Sequence, residues 1–269
     1  MSRLVSLAGL ALSAASLSPT AALGLEGAAV VPPGEHLAVV QVGSRCTGAL
    51  VGPQTVIYAA HCGDGPTMVR VGPLADGRHR DVRASRCVAH PDGGPGSRWD
   101  VALCFLDEPL REVLPVRLGR PVQSVRIDTR ASLSVVAFGA SAVSPFGVKR
   151  VGTVTVTQVE PYLSIDGPAS ACEGDSGGPL FLRSGAPEGD VVVGIVSATT
   201  SQNCDGSPTR AVRMHDVQKW LEATMAANAP ERGDPPRPSG GAPLPIPAVA
   251  IIGAIALAIG AGVAMRRQG

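Results

Sequence analysis

The sequence predicts an all-β fold of short antiparallel strands, a barrel or a sandwich, on three observations. Between about Leu25 and Asn228 the chain runs as short apolar or alternating segments broken by glycine and proline. One of them, VGTVTVTQVE from Val151, alternates valine with polar residues, the pattern of a strand with one buried face. The composition, 33 glycines and 24 prolines against 3% aromatic residues, suits many turns better than long helices. A chain of 269 residues can form one large domain or two small ones with a substantial core. Its formal net charge of +1 provides no basic surface for nucleic acid.

Taken in order, residues 1–24 open with Arg3, continue as an apolar run and end in small residues around Ala22 and Gly24. That is the layout of a secretory signal peptide; a buried first helix would need a polar face, which this segment almost lacks. The segments HLAVVQV, TGALVG, TVIYAA, TMVRVG, VALCFL, SVVAFG, VGTVTVTQVE and VVVGIVSA each have a strand's length. One helix is expected, in HDVQKWLEATMAA, where Val217, Trp220, Leu221 and Thr224 recur at helical spacing and form a docking face. The main domain thus covers residues 25–228. Residues 229–245, APERGDPPRPSGGAPLP, read as an extended stalk.

Residues 246–265 carry no charge, and Arg266 and Arg267 follow in a tail over 266–269. About 20 helical residues span the roughly 30 Å hydrocarbon core, and positive charge favours the cytoplasmic side. A single transmembrane helix is expected here, with the main domain outside. Ser239-Gly240-Gly241 ahead of this segment also looks like a bacterial carboxy-terminal processing signal, which would release the domain.

The six cysteines of an exported chain favour disulfides, though six thiols permit 15 pairings. With no CxxC and no clustered Cys/His spacing, neither a structural metal nor another cofactor is expected.

Three segments hold residue types suited to nucleophilic catalysis. ACEGDSGGPLF sets Ser176 among glycines, YAAHCGDG carries His61 at an apolar strand end, and RWDVALCFL puts Asp100 at the head of an apolar strand. A serine hydroxyl needs a general base within hydrogen-bond reach, itself oriented by a third group. Alone, each has an ordinary structural reading: a satisfied core histidine, a surface or turn acid, a turn serine.

Together, AAHC, DVAL and GDSGGP resemble, in order, the signature blocks of trypsin-like (chymotrypsin-fold) serine proteases. The likeness runs from Leu25 to the closing helix. It implies two six-stranded antiparallel β-barrels with a carboxy-terminal helix, and a monomeric endopeptidase acting on protein or peptide substrates. Ser176 would be the nucleophile, His61 the base and Asp100 its orienting group, with the Gly174 and Ser176 N–H groups as the oxyanion hole. A glycine at 174 would keep a side chain out of the oxyanion's way. Ser197 would lie beside Asp100 and pair the substrate backbone.

The same resemblance implies disulfides Cys46–Cys62 and Cys172–Cys204. Cys87 and Cys104 are left on strands flanking Asp100, as a cross-strand pair or as two free buried thiols. The resemblance places Ser170 at the base of the primary pocket, where a preference for arginine or lysine would need an aspartate. Thr199 and Thr209 fall on the pocket walls and narrow it toward small residues, while Ala198 replaces a usual tryptophan. Leu25 aligns with the family's mature amino terminus, whose freed amine would pair with Asp175; signal removal after Gly24 would expose it. Two rivals stand beside this reading: a protease fold without activity, and a ligand-binding sandwich in which the three motifs are coincidental.

Overall fold

Strand alternation sorts the apolar side chains into separate cores. Val40 packs inside one barrel with Leu50, Val56 and Val69, while its neighbour Val39 faces a layer between barrels with Ile57 and Leu103. In the other half Val135 and Ala137 point into a second barrel, whereas Val136 and Phe138 point into the same shared layer. Period-two geometry makes this inevitable once both faces of a strand are covered. Each such valine, leucine, isoleucine or phenylalanine, fully buried, contributes roughly 1.5–3 kcal/mol.

The computed structural model describes residues 25, 28–119, 127–140, 146–169, 171–183, 189–199 and 208–229. A two-residue strand β1 (Ala29–Val30) precedes the first barrel. That barrel consists of β2 (Val39–Val42), β3 (Cys46–Gly52), β4 (Thr55–Tyr58), β5 (Thr67–Val71), β6 (Arg80–Ala89) and β7 (Ala102–Leu106), closed in the order β2-β3-β4-β7-β6-β5. After a short β8 (Arg117–Leu118), the second barrel comprises β9 (Ser132–Ala137), β10 (Arg150–Gln158), β11 (Leu163–Asp166), β12 (Pro179–Leu182), β13 (Val191–Thr199) and β14 (Thr209–Arg213). Its path β10-β11-β14-β13-β12-β9 closes because β10 also pairs β9; β1 adds to β10, and β8 runs parallel to β13.

The expected alternation holds in β10, where Val154 and Val156 are buried and Thr153 and Thr155 exposed. Helix α1 (Met214–Ala227) buries Met214, Val217 and Leu221, with Trp220 and Thr224 half-buried on the same side. Its buried residues close the shared layer from the outside.

Besides the two-residue β1 and β8, four strands escape the sequence pattern. β6 interleaves Arg80, Asp81, Arg83 and Arg86 with buried Val82 and Ala84, so charge masks its alternation. β11, β12 and β14 are only four or five residues long. Among the described residues no helix is long and apolar enough to cross a membrane. The expected signal peptide over 1–24, the expected stalk over 229–245 apart from Ala229, and the expected anchor and tail over 246–269 lie outside those residues.

Candidate active site

The site lies where the barrels meet, and each of its groups sits just outside a strand, His61 after β4, Asp100 before β7 and Ser176 before β12. β4 stops at Tyr58, and one 3₁₀ turn over Ala60–Cys62 carries His61 out of the sheet. Cys62 is bonded to Cys46 at the start of β3, and the Tyr58 hydroxyl donates to Gly63 O at 2.5 Å. The turn is therefore held on both sides of the imidazole. Asp100 stands two residues before β7 and is fully buried.

Three donors converge on the Asp100 carboxylate. His61 N–H donates to Oδ1 at 2.9 Å, His61 Nδ1 lies 2.7 Å from Oδ2, and the buried Ser197 hydroxyl donates to Oδ2 at 2.5 Å. A carboxylate facing Nδ1 requires the hydrogen there, which leaves the Nε2 lone pair free. That nitrogen lies 3.0 Å from Ser176 Oγ. The arrangement can therefore accept the hydroxyl's proton as the oxygen attacks, and return it to a leaving group.

The Ser176 loop is shaped from behind by tertiary contacts. Ala140 N–H donates to Glu173 O at 3.0 Å. Because a trans peptide points its carbonyl and N–H in opposite directions, the Gly174 N–H faces away from Ala140. Gly174 has φ +94°, and a Cβ there would lie 2.5 Å from the Phe146 ring and 2.9 Å from Gly139 Cα. The space that glycine spares is therefore on the packed side, against Phe146 and Gly139. Gly177, at φ +85°, is tighter still, since its Cβ would meet Thr47 O at 2.0 Å.

Asp175 is fully buried between these glycines. Its carboxylate accepts the Gly139 N–H at 2.9 Å and the Cys172 N–H at 2.8 Å. Burial nevertheless pushes its carboxyl up to about 7, against those two bonds and the positive charge of Arg150. Leu25 is 2% exposed and packs in the core of the second barrel.

A cleft of 580 Å³ borders His61, Gly174 and Ser176, with Arg45 and Glu173 at its rim. It shares Gly43, Ser44, Pro66 and Thr67 with a larger groove of 1020 Å³ that reaches Arg70 and Phe146, so a polypeptide has room to run on past Ser176. Thr209 is buried and pairs with Thr199 across β13 and β14. Ser170 and Cys204 lie outside the described residues. Cys46–Cys62 and Cys87–Cys104 are disulfides, the second joining directly opposed residues of β6 and β7, and Cys172 is also disulfide-bonded. The described group of possible metal ligands, Cys46, His61 and Cys62, has both its sulfurs in a disulfide and so offers no thiolate.

One participant escaped the sequence reading. Thr47, fully buried on β3, donates its hydroxyl to Gly174 O at 2.8 Å and accepts the Phe138 N–H at 3.1 Å. A threonine in a strand is ordinary, and only the second barrel's position gives it these partners.

Two closed barrels with a hydroxyl, an imidazole and a carboxylate in serial contact between them are the framework of a serine hydrolase. The Trypsin family model matches residues 27–221. Chymotrypsin-like elastase family member 1 of Macaca fascicularis is 26% identical over 220 residues, covering 68% of this chain and 79% of that protein. Kallikrein-15 of Saguinus oedipus is 29% identical over 224 residues, covering 68% and 83%. Trypsin-4 of Rattus norvegicus is 25% identical over 209 residues, covering 70% and 82%. The chain belongs to the trypsin family of serine proteases, a group of serine-type endopeptidases.

Proposed function

We propose that this serine endopeptidase is exported, tethered to the membrane by residues 246–265, and cleaves after small apolar residues through an acyl-enzyme on Ser176. The observation that carries the catalytic part is the contact series Asp100–His61–Ser176, with its 2.7 Å and 3.0 Å links. Ser176 Oγ attacks the scissile carbonyl as His61 Nε2 takes its proton. Asp100 holds the ring and offsets the charge that develops on it. The Gly174 and Ser176 N–H groups receive the oxyanion, each such donor being worth roughly 3 kcal/mol. His61 then protonates the leaving amine, and water repeats the sequence on the acyl group.

Activation follows from the buried carboxylate. The two backbone donors of Asp175 do not offset its burial, since its carboxyl still stands at about 7. A free ammonium beside it would. Removal of residues 1–24 supplies one on Leu25, a residue already packed in the second barrel. The preference for a small residue rests on Ser170, which brings no carboxylate for a basic side chain, and on the paired Thr199 and Thr209.

The test is to express the full chain in an exporting host, sequence its mature amino terminus and map its cuts in a peptide library. The expected results are a start at Leu25 and cuts after alanine or valine, with none from Ser176→Ala. A different start overturns the activation route. Cuts after arginine overturn the pocket assignment and leave the catalytic one intact.

A further inference from the structure

Thr47 touches the Ser176 loop at two points that bracket Asp175. Its hydroxyl donates to Gly174 O at 2.8 Å, and its backbone N–H donates to Ser176 O at 2.8 Å. Gly174 and Ser176 are the two residues whose N–H groups are assigned to the oxyanion. The same hydroxyl accepts the Phe138 N–H at 3.1 Å, one residue before Gly139, which binds the Asp175 carboxylate. One fully buried side chain on the first barrel thereby fixes two segments of the second.

We infer that Thr47 is a positioning residue for catalysis: its hydroxyl anchors the Gly174–Asp175 peptide, and so steadies the oxyanion-binding N–H groups of Gly174 and Ser176 in the peptides on either side of it. The physical ground is that Gly174, at φ +94° and without a Cβ, has little of its own to hold it. Its backbone plane is fixed by what its polar atoms meet. Ala140 N–H holds the carbonyl before it, and Thr47 holds its own carbonyl. The Asp175 N–H of the same peptide donates to Cys172 O at 3.1 Å, so release of the Thr47 anchor leaves the peptide held on one side only. A buried Gly174 carbonyl and Phe138 N–H would also seek other partners, because unpaired polar groups inside a protein are costly. The Thr47 backbone N–H would still hold Ser176, so the loss falls on the Gly174 side. This inference rests on the assignment of Gly174 and Ser176 N–H as the oxyanion donors.

Valine has threonine's shape without its hydroxyl, and serine keeps the hydroxyl without the methyl. The experiment measures kcat and KM of full-length wild type, Thr47→Val, Thr47→Ser and Ser176→Ala on a peptide p-nitroanilide with alanine before the scissile bond. It adds the affinity for a peptide aldehyde, whose hemiacetal oxygen occupies the oxyanion position. Thr47→Val should lower kcat by about tenfold to a hundredfold with KM within about twofold, and weaken the aldehyde by a similar factor. Thr47→Ser should stay within about threefold of wild type in every respect. Should Thr47→Val not fold, Thr47→Ala replaces it. Serine and alanine both lack the methyl, so a tenfold lower kcat in alanine than in serine supports the role.

Equal kcat in the variants with and without the hydroxyl overturns the inference, as does a loss confined to KM. If instead Ser176→Ala turns over the substrate like wild type, the underlying assignment fails and Thr47's role fails with it. A defect in Thr47→Val alone, with Ser176→Ala inactive, separates the two cases.

Discussion

His61 and Ser176 meet at 3.0 Å, yet the barrels that bring them there are secured by different means. On the first barrel the turn holding His61 is tied by Cys46–Cys62, and β6 is bonded to β7 by Cys87–Cys104. Apart from the buried Asp100, its charges are largely outside, as in the Arg70–Asp81 pair. The second barrel keeps buried charge next to the Ser176 loop. Asp175 lies between Gly139 and Cys172, and the Lys149 ammonium donates to Glu35 and His36 carbonyls with Phe138 beneath it. Burial lowers Lys149 to about 8 and raises Asp175 to about 7. The difference teaches that the base side of the site rests on its two disulfides, whereas the nucleophile side, where Cys172 is disulfide-bonded too, adds a dependence on tight packing and on the protonation of Asp175.

The largest effect tests the packing of that second side. Gly177→Ala forces a Cβ to within 2.0 Å of Thr47 O at a backbone angle of φ +85°. We expect a loss of about 4 kcal/mol or more and no activity in any folded fraction, measured by urea unfolding and turnover. Wild-type stability in that variant would break the comparison at its root.

A comparable effect is expected from pH. Asp175 stands at about 7 folded against 3.8 unfolded, so between those values the unfolded chain has released a proton that the folded chain retains. Stability therefore falls as pH rises from about 4 to about 7, by on the order of 4 kcal/mol, and levels off above. Thermal unfolding from pH 4 to 8 of a form keeping residues ahead of Leu25 should show this fall. Asp175→Asn should flatten it, and a free Leu25 amine should shrink it.

Removal of a staple on the first barrel comes next. Cys87 and Cys104 are 17 residues apart, so replacing both with alanine should cost roughly 3 kcal/mol through the loop-closure entropy of the unfolded chain. Turnover by the folded variant should stay within a few-fold of wild type, because neither cysteine touches the site's hydrogen bonds. The smallest effect belongs to the surface. Arg70→Ala breaks an exposed pair with Asp81 and should cost less than about 1 kcal/mol in chemical denaturation.

How much of this was legible follows the same division. The strand at Val151 announced itself because Val154 and Val156 face one core and the threonines face water. β6 did not, since its exposed arginines outweigh two buried apolar residues in any hydropathy reading. His61, Asp100 and Ser176 were legible because each sits in a recognisable run of neighbours, and the chemistry leaves few alternatives to those residue types. Thr47 was hidden: its hydroxyl acquires meaning only when two barrels, far apart in sequence, place Gly174 and Phe138 against it. The packing demand on the glycine at 174 was hidden too, because no string of residues reveals that Phe146 lies against it.

The most direct test of the account is the rate and position of labelling by a fluorophosphonate, which reacts only with an activated hydroxyl. The account predicts one adduct, mapped by mass spectrometry to Ser176, formed at least about a thousandfold more slowly in His61→Ala and absent in Ser176→Ala. Labelling at another serine, or at the same rate without His61, would contradict it.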